Sequence, residues 1–239
     1  GAATASSSLP RAMAKQGAAE EHTKKDKLAA RALGYLMIVG STMYKVPQIM
    51  KIHRAKSGAG ISLITAHMDL ANYMLSTAYS FAHQHPISAY GENVFQFISM
   101  LTIILQILRY EHRASGVKLA GFACSFVALA LAACTAPSKL GERVGGMVLD
   151  TMKGSTMAIS LTGSLPQVVQ NWRTRSAGEL SLTTSSVGLL GSWIRMYTVL
   201  KQLAGDRKMV AAQVMSLLAN STLVSQILIY GGRPKSVGT

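Results

Sequence analysis

The chain has 239 residues and a formal net charge of +14, from 24 Lys and Arg against 10 Asp and Glu. Hydrophobic residues make up 49% of it and charged residues 14%, whereas an ordinary soluble domain has about 25% charged residues. This apolar content argues against disorder, and the low charge argues against a soluble nucleic-acid-binding domain. The composition predicts an integral membrane protein whose positive charge is concentrated outside the bilayer.

The N-terminal segment, residues 1–27, is rich in Ala and Ser and then in mixed charges, without the apolar core of a secretory signal peptide. We expect it to form a polar tail, which is mobile unless another part of the molecule holds it. The glycine at position 1 is consistent with an artificial end, or with a mature end left after removal of a targeting peptide.

Seven stretches poor in charge follow, and each is close to the roughly 20 residues that a membrane-spanning helix needs. They cover residues 28–50, 60–82, 92–110, 117–136, 145–170, 180–200 and 210–230. The fifth is the weakest, because it carries Asp150 and Lys153 near its start. A soluble helical bundle is the alternative, but these runs would leave it almost no polar faces. The sequence therefore predicts an all-α membrane protein with seven transmembrane helices.

Two segments of the chain repeat each other 119 residues apart, without a gap. VPQIMKIHRAKSGAGISLIT begins at Val46, and LPQVVQNWRTRSAGELSLTT begins at Leu165. An even number of predicted spans lies between them, so both copies meet the same side of the membrane. This predicts two parallel three-helix bundles joined by an inverting fourth helix, which is one of the standard transporter plans. The predicted divisions are the N-terminal tail (1–27), a first repeat (28–110), a linker helix (111–144), a second repeat (145–230) and a C-terminal tail (231–239).

Each repeat has a Pro-Gln pair near the end of its first span. The pairs are Pro47-Gln48 and Pro166-Gln167. Proline bends a helix because it lacks the N–H and crowds the preceding turn, and the neighbouring glutamine can donate to the freed carbonyl. We expect the two pairs to act as matched hinges, and a purely structural helix end is the alternative. Ser62 and Ser181 are placed to cap the helices that follow.

Polar residues inside the predicted spans are the candidates for contact with a substrate, because ionisable groups at membrane depth usually face a bundle interior or a cavity. Asp69 and Arg195 have opposite charges and lie in corresponding helices. They are predicted to pair across the bundle interface, structurally or as part of a site, or to bind with an anionic substrate. Asn72 and Asn220 place one amide in each bundle, where hydrogen bonding between helices is the commoner role.

The sequence contains no recognisable catalytic motif, neither G-x-S-x-G, nor a P-loop, nor a zinc spacing. Its two cysteines form no metal or disulfide framework. The acids Glu92, Glu111, Asp150 and Glu179 are assigned mostly to loops or helix ends. We therefore predict a protein that is not an enzyme and that has no metal, no cofactor and no nucleic-acid partner.

The repeat motifs resemble those of the PQ-loop family, which includes SWEET sugar transporters, lysosomal cystine exporters and the KDEL receptor. Similarity to the mannose-P-dolichol utilization branch is carried by residues 45–48, 55–57, 61–63, 91–92, 191–192, 195 and 220. The resemblance spans 33–230 and departs at Asp69, where a glutamate is expected. It implies seven helices in two bundles and an endoplasmic reticulum role in the use of dolichol-phosphate-linked mannose and glucose.

Two functions from different classes follow from these observations. In the first, a small polar solute or a lipid-linked sugar binds in a cleft between the bundles, and bending at the two prolines exposes it alternately. The partners are then membrane lipid and that ligand, and the membrane is the endoplasmic reticulum by resemblance. In the second, the chain is a non-catalytic accessory or structural subunit beside other membrane subunits, in a plastid (thylakoid) membrane after loss of a transit peptide. A cargo receptor is a third option.

Overall fold

The computed structural model describes residues 8–175 and 182–230, with side chains from residue 21 onward apart from residue 184. In these ranges the chain forms α-helices joined by short turns. They are α1 Ser8–Ala55, α2 Leu63–Ala82, α3 Ile87–Tyr110, α4 Gly116–Lys139, α5 Gly141–Thr174, α6 Leu182–Gln202 and α7 Arg207–Tyr230. Ser181, predicted to cap α6, lies outside the described residues.

The arrangement of the helices confirms the predicted fold class. α3 packs against α1 and α2, and α7 packs against α5 and α6, so each repeat is a three-helix bundle. α4 joins the bundles and contacts α2 and α5, while α1 meets α6 and α2 meets α5 across the interface. Of the described helices, α3, α4 and α7 are long and apolar enough by composition alone to cross a membrane. The others are more polar, and they carry charged residues such as Lys45, Asp69, Lys153 and Arg195.

Helix starts differ from the predicted runs, with consequences for one acid. α3 begins at Ile87 after the extended residue Pro86, rather than at residue 92. Proline favours a helix start because its missing N–H needs no partner there. Glu92 therefore lies in the second turn of a transmembrane helix, and its assignment to a loop or helix end is wrong.

The N-terminal segment continues α1 beyond the predicted first span, back to Ser8. Its Ala, Lys and Glu residues are good helix formers. Lys201 at the end of α6 donates to Asp26 at 2.6 Å, which attaches this extension to the second bundle. The same hydrogen bond lowers the pKa of Asp26 below its usual value.

The helix bounds of the two repeats correspond closely. α1 and α5 end at Ala55 and Thr174, and both distances from the motif proline to the helix end are eight residues. The second helices begin at Leu63 and Leu182, again 119 positions apart. The third helices, α3 and α7, each have 24 residues and start 120 positions apart. The second repeat thus contains one additional residue before its third helix.

The ends of the two proline-bearing helices share an unusual backbone conformation. Lys56 and Arg175, which follow α1 and α5, both have φ near 50°, the left-handed region that usually favours glycine. A cation at this place interacts favourably with the carbonyl end of the helix dipole. Ser62 caps α2 as predicted, by accepting a hydrogen bond from the Thr65 N–H at 3.4 Å.

Packing differs between the bundles. The first has an apolar core around Leu70, Ile103 and Ile104. The second is joined by amides, since Asn171 donates to the Gln226 side chain at 3.2 Å and Gln226 donates to a backbone carbonyl of α5 at 2.9 Å. Side-chain hydrogen bonds between membrane helices contribute about 0.6 kcal/mol each on average. Polar contacts therefore contribute to the packing of the second bundle.

Candidate ligand-binding cavity

A cavity of about 360 Å³ lies between the two bundles and is lined by residues of α1, α2, α3, α5, α6 and α7. We call it the central cavity. Ligand sites are typically concave spaces of this order, between helices of a bundle or between domains. Its position between the repeats makes it the first candidate for a functional site.

Equivalent positions of the two repeats line this cavity. From the third helices come Ala89, Glu92, Asn93 and Gln96 of α3, and, each 120 positions later, Met209, Ala212, Gln213 and Ser216 of α7. From the second helices come Asn72, Tyr73 and Ser76 of α2, and, each 119 positions later, Gly191, Ser192 and Arg195 of α6. The central cavity therefore lies on the pseudo-twofold axis that relates the repeats.

The chemistry of the lining is not symmetric. Glu92 of α3 corresponds to an alanine in α7, and Arg195 of α6 corresponds to a serine in α2. Lys153 of α5 corresponds to Gly34 of α1. Each charged group of the lining therefore corresponds to an uncharged residue in the other repeat, and the charge of the lining is distributed asymmetrically.

Arg195 pairs with Glu92, not with Asp69. Its guanidinium donates to the Glu92 carboxylate across the bundle interface, with side chains 31% and 20% exposed. The repeat equivalent of Arg195 in α2 is Ser76, which is seven residues beyond Asp69. Seven residues of helix correspond to about 10 Å along the axis, so Asp69 and Arg195 lie at different depths. Asp69 is half-buried and interacts electrostatically with Lys45 of α1.

The two predicted asparagines occupy different places. Asn72 lines the central cavity, and its Oδ1 is buried without a hydrogen-bond partner among the described residues. Asn220 instead lines an adjoining pocket of about 230 Å³, which shares Ser160 and Ser216 with the central cavity. Its amide donates to the Ser192 hydroxyl at 2.8 Å, so it contacts the wall of the central cavity from behind.

Three cavity residues were not among the predicted site residues. Glu92 was hidden by the late predicted start of α3. Lys153 was treated as a sign of a weak span, although a lysine at membrane depth is itself an indication of function. Gln96 lines the cavity, and its Oε1 is buried without a partner in the described part of the chain.

Polar contacts join the two bundles where the α2–α3 and α6–α7 loops meet. The Tyr79 hydroxyl donates to Asp206 at 2.8 Å, and His85 lies 3.5 Å from the same carboxylate oxygen. Ser88 donates to Gln202 at 2.8 Å. We call these five residues the loop-end cluster. It closes this end of the interface between the bundles.

Charge within the loop-end cluster is set by two opposing environments. Burial lowers the pKa of His85, with Asp206 acting in the opposite direction and with His83 and Lys153 adding to the lowering. Burial alone would raise the pKa of Asp206, but hydrogen bonds from the Met209 N–H and the Tyr79 hydroxyl outweigh it and lower this pKa. The closed cluster therefore favours an ionised Asp206 and a neutral His85.

Polar contacts at the opposite end of the helices lie within the bundles. Tyr110 and His53 are 2.9 Å apart in the first bundle. Arg175 donates to the Tyr230 hydroxyl at 3.1 Å in the second. Neither of these two contacts links one bundle to the other.

Two parallel three-helix repeats around a polar cavity define a class of seven-helix integral membrane proteins. Residues 29–89 and 151–204 match the family model of the PQ loop repeat. Both repeats of the chain therefore belong to the PQ-loop family. The chain is also similar to a eukaryotic SWEET transporter of known structure, with a TM-score of 0.67 and 14% identity over 88% of this chain and 99% of that one. This likeness concerns the fold.

Proposed function

We propose that this membrane protein moves or presents a small polar solute, or the headgroup of a lipid-linked sugar, through the central cavity. The observation that carries the proposal is the lining of the cavity by equivalent positions of both repeats. A site on the pseudo-twofold axis can open to either side of the membrane by rocking one bundle against the other. The unpartnered acceptors on Asn72 and Gln96 offer hydrogen bonds to ligand hydroxyl groups.

The predicted site residues take distinct roles in this proposal. Asn72 and Arg195 contact the ligand, because both line the cavity. Asn220 orients Ser192 from the adjoining pocket. Asp69 does not contact the ligand and lies at a different depth, where it interacts electrostatically with Lys45. Glu92 holds the guanidinium group of Arg195 in a fixed orientation.

The proposed motion uses the two proline-bearing helix ends as hinges. Pro47 and Pro166 lie inside α1 and α5 at matched places. Proline removes one intrahelical hydrogen bond, which lowers the resistance to bending at that turn. In this proposal the adjacent Gln48 and Gln167 would donate to the freed carbonyls as the helices bend. The loop-end cluster would then open as α1 and α5 bend at their prolines.

Transport of labelled glucose and mannose into reconstituted vesicles tests the first function. The Asn72→Ala variant removes one hydrogen bond, worth about 0.5–1.5 kcal/mol, so we expect up to a tenfold loss of flux. Thr135→Ala on α4 is the matched control, because that hydroxyl bonds only to its own helix. Flux should also fall when both prolines are replaced by alanine. Normal flux in Asn72→Ala and in the double proline variant would refute the proposal.

A finer form of the proposal places the chain in the endoplasmic reticulum, with dolichol-phosphate-linked mannose and glucose as the sugars that it helps to use. The motif resemblance at residues 45–48, 55–57, 61–63, 191–192 and 195 supports this form. Cells without the protein should then accumulate dolichol-linked oligosaccharides that lack the mannose and glucose taken from those donors. Restoration by the native chain but not by Asn72→Ala would support it, and unchanged oligosaccharides would count against it.

The second candidate function is that of an accessory subunit of a larger membrane complex in a plastid membrane. The helical continuation of α1 back to Ser8 favours it, because a helix projecting beyond the predicted span offers a surface for another subunit. Light scattering on gently extracted native protein tests this candidate. A particle of single-chain mass would refute it, and a defined larger mass that falls when the extension is mutated would support it.

A further inference from the structure

Lys153 is a buried cation in the wall of the central cavity. It lies in α5 with 6% of its surface exposed. Its Nζ donates to the Met209 sulfur at 2.8 Å and lies 5.4 Å from the centre of the Tyr79 ring. A thioether is a weak acceptor, and an aromatic face offers only partial compensation for an ammonium group. Neither contact neutralises the charge.

The nearby acids make their direct contacts with other groups, and Asp206 acts on Lys153 only through longer-range electrostatic attraction. Glu92 is held by Arg195. Asp206 accepts from the Tyr79 hydroxyl, from the N–H groups of Lys208 and Met209, and lies beside His85. Among the described residues, no ion pair includes Lys153. An ammonium buried without a directly paired anion is unfavourable, so this lysine reduces stability unless an anion binds beside it.

The repeat fold itself does not require a lysine at this position. The equivalent residue in α1 is Gly34, which packs against the backbone of α3 at Ser88. A small residue therefore serves the packing in one repeat, while the other repeat places a cation in the cavity wall. The charged groups of the wall are one carboxylate, Glu92, and two cations, Arg195 and Lys153. One positive charge is left over.

We propose that Lys153 binds the phosphate group of an anionic ligand in the central cavity. The polar remainder of the ligand would donate hydrogen bonds to the unpartnered oxygens of Asn72 and Gln96. The inference rests on the proposed function and specifies the class of ligand. A lysine suits this task as a compact point charge, and the guanidinium of Arg195 is already paired. A free solute and a lipid headgroup can both supply the group.

Binding to the purified full chain in a neutral detergent tests the inference at pH 7. The first arm compares glucose 1-phosphate with glucose, and the second compares farnesyl phosphate with farnesol. A charge-assisted hydrogen bond is worth about 1.5–3 kcal/mol, so we expect the phosphate of at least one pair to bind about tenfold to a hundredfold more tightly. Preference in the first arm identifies a free solute, and preference in the second identifies a lipid headgroup.

Substitutions separate the charge of Lys153 from its packing. Lys153→Met keeps the apolar length and should remove the preference for phosphate, while Lys153→Arg should retain part of it. Lys208→Met is the matched control, because that lysine is exposed and pairs with Asp150 outside the cavity. Size-exclusion profiles establish that each variant is folded before binding is measured.

The outcomes distinguish this inference from the proposed function. If neither phosphate is preferred, or if Lys153→Met keeps the preference, the inference is overturned, and glucose or mannose flux in the native chain still tests the function. If the native chain shows no flux but binds a phosphate through Lys153, the anion site is supported and the transport function is refuted. Loss of preference in Lys208→Met as well would also overturn the inference, because the effect would then be nonspecific.

Discussion

The ion pair between Arg195 and Glu92 joins α6 to α3 across the bundle interface, and its removal gives a quantitative prediction. Removing one partner of a fully buried pair costs about 3–5 kcal/mol, whereas an exposed pair is worth about 0–1 kcal/mol. The two side chains are 31% and 20% exposed. An intermediate value of about 2 kcal/mol is therefore expected for Glu92→Gln or Arg195→Gln.

A double-mutant cycle isolates the pair. The double variant should be less destabilised than the sum of the single variants, with a coupling free energy of about 1–2 kcal/mol. Unfolding of the chain by denaturant in mixed micelles, followed by circular dichroism, gives the four free energies of unfolding. The matched control is Asp69→Asn, whose effect should add to that of Arg195→Gln within about 0.5 kcal/mol.

Two results would refute the reasoning. Additivity of Glu92→Gln and Arg195→Gln would mean that the pair is not formed in the membrane protein. Strong coupling between Asp69→Asn and Arg195→Gln would instead restore the pairing expected from the sequence. It would also place the two charges at one depth.

Three further predictions concern packing, pH and the buried cation. Gly34→Ala should destabilise the chain by about 1–3 kcal/mol, because a Cβ there meets the backbone of α3. Gly40→Ala is the control, since a Cβ at that position meets open space, and it should be neutral or stabilising by up to about 1 kcal/mol. Equal melting temperatures for the two variants would contradict this prediction. Because the pKa of His85 is lowered in the closed loop-end cluster while Asp206 stays ionised, the closed form loses stability as pH falls below about 6.5. The rate of hydrogen exchange in loops 83–86 and 203–206, corrected for intrinsic rates, should then rise on the order of severalfold as the pH falls from about 7.5 to about 5.5. His85→Asn should abolish this rise. Slower exchange at the lower pH would contradict the prediction. Lys153→Met should raise the melting temperature of the ligand-free chain by relieving an unpaired buried charge, and a lower one would show that the ammonium group stabilises the fold.

The interior of the repeats shows how far a pattern in the sequence reaches. The gapless match at Val46 and Leu165 predicted parallel halves, and the ends of α1 and α5 fall at matched residues. The same match could not reveal the extra residue before α7, because it lies beyond the motif. Hydropathy predicted α5 as a weak span, since Lys153 and its polar neighbours lower its apolar content. It could not say that these residues face a cavity.

Chain order and apolar length by themselves determined the helix number, the two repeats and the membrane setting. These properties depend on local composition and on an even number of crossings, which a sequence records directly. The partner of Arg195 was decided only by tertiary structure, because Glu92 is 103 residues away and its depth depends on where α3 starts. The isolation of Lys153 was decided there too. Whether a buried charge has a partner depends on which helix faces meet, and that is fixed by the packing of both bundles around one axis.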